Sequence, residues 1–322
     1  MCEQKEPLII LTGPTAVGKT GLSLRLAKAV RGSVISADSM QVYRKLDIGS
    51  AKVMPEEQNG IPHYLIDVLE PEEPFHVARF QEMAKEAIKD IRQKGRVPIL
   101  TGGTGFYIQA VVKDVDFSES DGASGIRSDW EKEAAFKGPE YVHAKLASVD
   151  PEAAASIHPH NIRRVIRALE FYEQTGEKIS EHNRNQSTRL SPWNVVYFVL
   201  NDDRSRLYAQ IDARVDDMMR RGLEQEVREL AERGLTEENS SMKAIGYKEF
   251  FPYFRGEYSL ERAVELIKRN SRHYAKRQLT WFRREPDVIW VNKPDFDWSE
   301  DSMLAYMLET YHNRTERGTG SV

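Results

Sequence analysis

Apolar runs and helix-spaced apolar positions alternate along the first hundred residues. Leu8-Ile9-Ile10-Leu11 is an unbroken apolar run that predicts a buried strand, and Gly21-Leu22-Ser23-Leu24-Arg25-Leu26-Ala27 then predicts a helix. A second run, Ser33-Val34-Ile35-Ser36-Ala37, stops at Asp38, and His63-Tyr64-Leu65-Ile66-Asp67 predicts another short strand. Phe80, Ala84, Ala87, Ile88 and Ile91 recur at intervals of three and four, which predicts a helix that Gly95 is placed to cap. Val97-Pro98-Ile99-Leu100 reads as a buried strand running into the glycine turn Gly102-Gly103-Thr104-Gly105. Strands alternating with helices argue for a parallel sheet covered on both faces, with ligands at the carboxyl ends of its strands. Three features collect on that rim: the loop at 13–20, Asp38 and the glycine turn.

The pattern changes at Asp116–Gly125, a polar, glycine-bearing linker. From about 126 to 185 the spacing predicts helices and no strand; Ile162, Val165, Ile166 and Leu169 mark an amphipathic one that stops at Thr175-Gly176. Asn183–Thr188 reads as a second linker, and Asn194-Val195-Val196-Tyr197-Phe198-Val199-Leu200 resumes the sheet. The remainder is helical apart from a late strand, Val288-Ile289-Trp290-Val291. The expected fold class is therefore α/β: a parallel sheet flanked by helices, P-loop NTPase-like because Gly13-Pro14-Thr15-Ala16-Val17-Gly18-Lys19-Thr20 follows its first strand, with an all-helical insertion domain. Residues 1–115 and 193–311 form the expected core domain, 116–192 the insertion, and 312–322 a flexible polar tail.

Composition narrows the class. A length of 322 residues with 40% apolar and 30% charged content suits a globular protein of about two domains. Cys2 is the sole cysteine, which excludes disulfides within the chain and a cysteine-based zinc site. No segment has the features of a signal peptide and no apolar run reaches the roughly 18 residues that span a bilayer, so the expected compartment is the cytosol, away from membranes. The net charge of -4 does not advertise nucleic-acid binding, but it hides local basic surfaces. Lys268, Arg269, Arg272, Lys276, Arg277, Arg283 and Arg284 fall in one stretch without an acid, interleaved with Tyr274, Trp281 and Phe282. A second cluster holds Arg163, Arg164 and Arg167.

The strongest chemical signal is Gly13-Pro14-Thr15-Ala16-Val17-Gly18-Lys19-Thr20, a phosphate-cradling Gly-x-x-x-x-Gly-Lys-Thr loop between a predicted strand and a predicted helix. Backbone N–H groups at a helix N-terminus have no intrahelical partner and sit at positive potential, so they suit an anion. Lys19 adds a point charge and the Thr20 hydroxyl is the usual magnesium ligand. Asp38 reads as a general base, as a magnesium partner or as a helix cap, and Asp67 competes for the metal role. Arg214 falls on the apolar stripe of Leu207, Ile211 and Met218, where a guanidinium must snorkel out or meet an anion such as a pyrophosphate leaving group. Arg163 and Arg167 share a solvent face suited to a polyanion or to plain exposure. His143, His158 and His273 have no metal-ligand spacing.

Together these motifs resemble the tRNA dimethylallyltransferase (tRNA isopentenyltransferase) family from Gly13 to about Arg284. The residues that carry the resemblance are the loop at 13–20, Asp38-Ser39-Met40-Gln41-Val42-Tyr43, the segment from Asp47 to Lys52, and the turn from Gly102 to Tyr107. Further matches run from Arg164 to Glu170, Ala244 to Tyr247 and Ala275 to Gln278; Phe106, where Leu is commoner, is a mild departure. One cysteine cannot build the zinc finger of eukaryotic relatives, so the bacterial form is expected. The resemblance implies transfer of a dimethylallyl group from its diphosphate to N6 of adenosine 37 of tRNA. Residues Gly13 to Thr20 would bind the diphosphate with Mg2+ on Thr20, and Asp38, Thr20 and Arg214 would be catalytic. Asp38, Ser39, Met40, Gln41, Thr104, Arg127, Arg163, Arg164, Val165, Ile166 and Arg167 would contact the tRNA. The insertion and the 268–284 region would embrace the anticodon stem-loop, with the enzyme working as a monomer. The main rival is a P-loop kinase, which explains the loop and sheet equally well but not the insertion with its arginines. Two lesser rivals are a prenyltransferase acting on free AMP or ATP and a non-catalytic RNA-binding ATPase.

Overall fold

The computed structural model describes residues 5–117 and 125–316, so Cys2 and most of the first linker lie outside the described residues. The first half of the chain supplies β1 (Pro7–Thr12), α1 (Lys19–Ala29), β2 (Gly32–Ser36), β3 (His63–Tyr64), α2 (Val77–Gln93), β4 (Val97–Gly102) and α3 (Gly105–Val112). Five helices follow: α4 (Gly125–Lys137), α5 (Pro139–Val149), α6 (Pro151–Ser156), α7 (Ile162–Thr175) and α8 (Ile179–Thr188). The last part contributes β5 (Asn194–Asn201), α9 (Arg204–Arg220), α10 (Leu223–Glu232), α11 (Phe250–Phe254), α12 (Leu260–Phe282), β6 (Ile289–Asn292) and α13 (Glu300–Glu316). Residues 5–112 and 193–316 make one compact unit and 113–192 the other.

The first unit is built on a sheet of order β3-β2-β4-β1-β5-β6 in which every pairing is parallel. Each β-strand turns successive side chains to opposite faces, and both faces are covered, which is why the strands read as continuous apolar runs rather than alternating ones. Leu8 and Ile10 pack with Ile35, Leu100, Tyr197 and residues of α2, α3, α10 and α12. Ile9 and Leu11 pack on the other side with Val34, Ile99, Phe198 and residues of α1, α9 and α13. β1 lies in the middle, paired through Ile9 to Ile99 on one side and to Val196 on the other, so the loop after it opens at the centre of the sheet's carboxyl edge.

Three sequence expectations change. The strand expected over 63–67 is only His63–Tyr64, because Leu65 (φ 62°) and Asp67 (φ 54°) turn the chain through left-handed backbone. The polar stretch 183–188 is not a linker but the second half of α8, whose start is anchored from afar: Ser180 donates to Asp150 through its backbone N–H (2.9 Å) and its hydroxyl (2.7 Å). The expected tail at 312 begins too early, since α13 continues to Glu316 with Met303, Met307 and Tyr311 buried on one stripe. No helix among the described residues is long and apolar enough to cross a membrane.

The second unit is wholly helical among its described residues, with Ala134, Val142, Leu146, Val165, Ile166 and Leu169 in its core. Gly176 at φ 74° ends α7 at the expected place.

Candidate active site

The loop between β1 and α1 is held by close packing at both ends. A Cβ at Gly13 (φ 148°) would come within 2.5 Å of the Leu200 carbonyl, so the chain can pass β5 there only as glycine. Val17 is fully buried and anchors the loop from below. Lys19 folds back over it, donating to the carbonyls of Gly13 (3.0 Å) and Pro14 (2.8 Å). Burial pushes its ammonium down to about 7, the nearby Arg214 guanidinium adds to the fall, and Asp38 opposes it.

A cavity of about 630 Å³ opens from this loop, and Thr15, Lys19, Thr20, Asp38, Arg214 and Tyr274 all line it. Asp38, just past β2, accepts the Met40 backbone N–H at 2.8 Å through Oδ1, which fixes its side chain at the rim. Ser39, Met40 and Gln41 line the same cavity, and Gln41 braces the wall by donating to the carbonyls of Ser50 (3.4 Å) and Ala51 (3.3 Å). Thr104 stands in the turn between β4 and α3, its N–H donating at 3.4 Å to the carbonyl of Ala37, the residue before Asp38. Arg214 reaches the cavity from α9 with no hydrogen bond or ion pair among the described residues. Burial holds its pKa below the usual arginine value, with Asp38 pulling it back up. A cation so placed costs stability unless an anion completes it.

Asp67 does not compete for a metal. Its carboxylate pairs with Lys52, whose side chain is 1% exposed and also donates to Asp47 Oδ1 (2.5 Å) and the Tyr43 carbonyl (2.7 Å). No group of three or more His, Cys, Asp or Glu suited to a metal occurs among the described residues. The floor of the cavity is tied by Glu226, which accepts the N–H groups of Asp47 (2.9 Å), Ile48 (2.7 Å) and Gly49 (3.0 Å) and the Tyr247 hydroxyl (2.7 Å).

Sequence reasoning about single residues missed what α12 contributes. Ile267, Ser271, Tyr274 and Gln278 line the cavity at intervals of four, three and four, a helical face hidden inside a stretch read for its charges. Tyr274 is pushed up to about 12, by burial first and then by the Asp38 carboxylate. The basic residues of this region differ in their surroundings. Lys268 pairs with Asp216 (2.6 Å) and Arg272 with Asp212 on α9, whereas Lys276, Arg277 and Arg284 border a shallow groove of about 430 Å³ with His273 and Trp281, and Arg277 lines the main cavity as well.

In the helical unit, Arg163, Arg164 and Arg167 are exposed along α7, while the side chains of Val165 and Ile166 are turned into the core. Arg127 is held to α7 by an ion pair with Glu170 at 2.6 Å.

A parallel sheet with a phosphate loop at its central strand, opening on a cavity lined by Lys19, Arg214 and Asp38, defines a P-loop α/β protein with cations suited to an anion. The family model described as IPP transferase matches residues 41–285, a span that leaves out the phosphate loop, so the match and the loop point the same way independently. The chain belongs to the IPP transferase family. It is 54% identical over 304 residues to a tRNA dimethylallyltransferase of Lachnoclostridium phytofermentans, covering 94% of this chain and 97% of that one. The crystal structure of a tRNA isopentenylpyrophosphate transferase from Bacillus halodurans is similar with a TM-score of 0.73 at 43% identity, covering 97% of this chain and 99% of that one. A eukaryotic dimethylallyltransferase caught acting on tRNA is also similar, with a TM-score of 0.78 at 33% identity over 89% of this chain and 74% of that one.

Proposed function

We infer that this chain transfers a dimethylallyl group from dimethylallyl diphosphate to N6 of adenosine 37 of tRNA and releases diphosphate. The observation that carries the reading is the meeting of Lys19, Arg214 and Asp38 on one cavity beside the phosphate loop, in a chain of this family. The bond from the prenyl C1 to the diphosphate oxygen breaks as the bond to N6 forms. Charge therefore grows on the diphosphate while N6 acquires a surplus proton. We assign Lys19, Arg214 and the loop's N–H groups to stabilising the first charge, and the Asp38 carboxylate to taking the proton; all border the one cavity.

The Thr20 hydroxyl, on the cavity wall beside Lys19, is the group that would hold Mg2+. Bound there, the ion supplies neutralising charge to the leaving group. An exocyclic amine is a weak nucleophile, so holding it in line with C1 supplies much of the acceleration. The adenine must leave its stack to reach the cavity, which costs a few kcal/mol and least in a loop. We assign tRNA contacts to Asp38, Ser39, Met40, Gln41 and Thr104 on the cavity side, and to Arg163, Arg164 and Arg167 in the helical unit. Arg127 follows them through Glu170, and Val165 and Ile166 take part through their backbone or by setting the arginines on their face. We take the working unit to be a monomer in the cytosol.

The test is to incubate the protein with dimethylallyl diphosphate and tRNA and to weigh the digested nucleosides. The expected result is prenylated adenosine at position 37, with diphosphate released only when tRNA is present. Turnover of ATP without tRNA and an unmodified adenosine would replace this reading with the kinase.

Lys19 gives the donor site a pH signature. With its pKa lowered to about 7 by burial, it is mostly charged below that pH and mostly neutral above it. A diphosphate favours the charged form, so binding raises the pKa and takes up a proton at pH 8. Affinity for a thiolodiphosphate donor analogue should therefore fall by up to about tenfold per pH unit above 7. Calorimetry in buffers of different ionisation enthalpy checks the proton count, and Lys19→Met should abolish the uptake.

A further inference from the structure

Gln278 is the one side chain that bonds to the donor loop and to the glycine turn at once among the described residues. It stands on α12, 5% exposed, 263 positions from Thr15. Its Oε1 accepts the Thr15 backbone N–H at 2.9 Å, and its Nε2 donates to the Gly103 carbonyl at 2.9 Å. Only this orientation of the amide pairs both groups; turned over, it would set N–H against N–H and oxygen against oxygen. The fit is tight, because a Cβ at Gly103 would lie 2.2 Å from Nε2. Only glycine at 103 leaves room for the amide.

The two backbones it joins have different duties. Thr15 belongs to the loop that takes the diphosphate, whereas Gly103 precedes Thr104, on the side assigned to the acceptor. The same helix reaches the far wall of the cavity two turns away, where Asn270 donates to Glu249 Oε1 (2.8 Å) and Glu249 Oε2 accepts the Gly246 N–H (2.9 Å). α12 therefore ties the donor loop through Gln278 and the 244–247 wall through Asn270, two turns earlier on the same helix.

We propose that Gln278 is a positioning residue that sets the distance between the prenyl donor and the adenine amine. The proposal rests on the reading of the loop as the donor's diphosphate site. Both polar atoms of its amide are engaged by backbone, so it acts by holding Thr15 and Gly103 in register, and a displacement of about 1 Å between reactants can cost roughly 10²-fold in rate. A residue that served only as core packing would tolerate any side chain of its size. This one needs an acceptor and a donor together.

Two variants of nearly unchanged size separate these roles. Gln278→Met keeps the length without either bond, and Gln278→Glu keeps the acceptor but, ionised, has no donor for the Gly103 carbonyl. Single-turnover transfer is measured at saturating donor and tRNA, alongside tRNA affinity by filter binding. Both variants should lose about 10²-fold in the single-turnover rate while tRNA affinity stays within about threefold. Should the Met variant fail to fold, the Glu variant alone decides. A wild-type rate in either variant overturns the proposal, as does tRNA affinity that falls in step with the rate. Wild-type protein that transfers no prenyl group to tRNA would end the functional reading and this proposal with it, a failure distinguishable from the other two.

Discussion

Asp38→Ala should lower prenyl transfer by about 10² to 10⁴-fold, the range expected when a general base is removed, while tRNA binding stays within a few-fold. The amine of adenine carries little nucleophilic power of its own, and the new C–N bond leaves N6 with a proton to lose. Asp38 lines the cavity with Lys19 and Arg214 and is fixed at the rim by the Met40 N–H. That hydrogen bond offers a second role, as a brace of the 38–41 turn, and Asp38→Asn separates the two. Asparagine keeps an oxygen for the Met40 N–H but cannot take a proton. The base role predicts that Asn is nearly as inactive as Ala. Near-normal turnover in Asp38→Asn, or lost tRNA binding with normal turnover at saturating tRNA, would return Asp38 to the brace.

The second large effect is expected at Arg214. Its guanidinium reaches the cavity from an otherwise apolar stripe of α9 without a partner among the described residues, a costly arrangement that a bound diphosphate would offset. Donors aimed at charge that develops in the transition state are typically worth about 10² to 10³-fold each. Arg214→Ala should therefore slow the single-turnover step by that factor, with a smaller rise in the KM for dimethylallyl diphosphate. Arg214→Lys should recover only part of the rate, because an ammonium presents a point charge in place of a planar fork. An unchanged single-turnover rate in the Ala variant would make Arg214 a snorkelling side chain and nothing more.

What could be read from the chain and what could not divides along sequence distance. The loop at 13–20 was legible because its meaning is contained in eight consecutive residues between a strand and a helix. Asp38 was legible as the residue that ends a buried strand, and Arg214 as a cation breaking an apolar stripe. The role of Gln278 was not legible, although it falls in a stretch the sequence had already marked, because its partners Thr15 and Gly103 lie far along the chain. Glu226 was hidden for the same reason: its backbone partners at 47–49 lie about 180 positions away. The polar second half of α8 follows a start tied to Asp150, and α13 runs on past 312 with Tyr311 buried, so local polarity hid how far both helices extend. The partners of charged residues were hidden in the same way. Lys268 and Arg272 look like RNA contacts in the sequence, yet both are paired to acids of α9 that come more than fifty positions earlier.

The sharpest test of the whole scheme is a crystal structure with a non-reactive thiolodiphosphate analogue of the donor and an anticodon stem-loop. The diphosphate should lie in the loop at 13–20 in contact with Lys19 and Arg214, and an extruded adenine should bring its amine within hydrogen-bonding reach of the Asp38 carboxylate. A diphosphate bound elsewhere, or an adenine amine out of reach of Asp38, would contradict it.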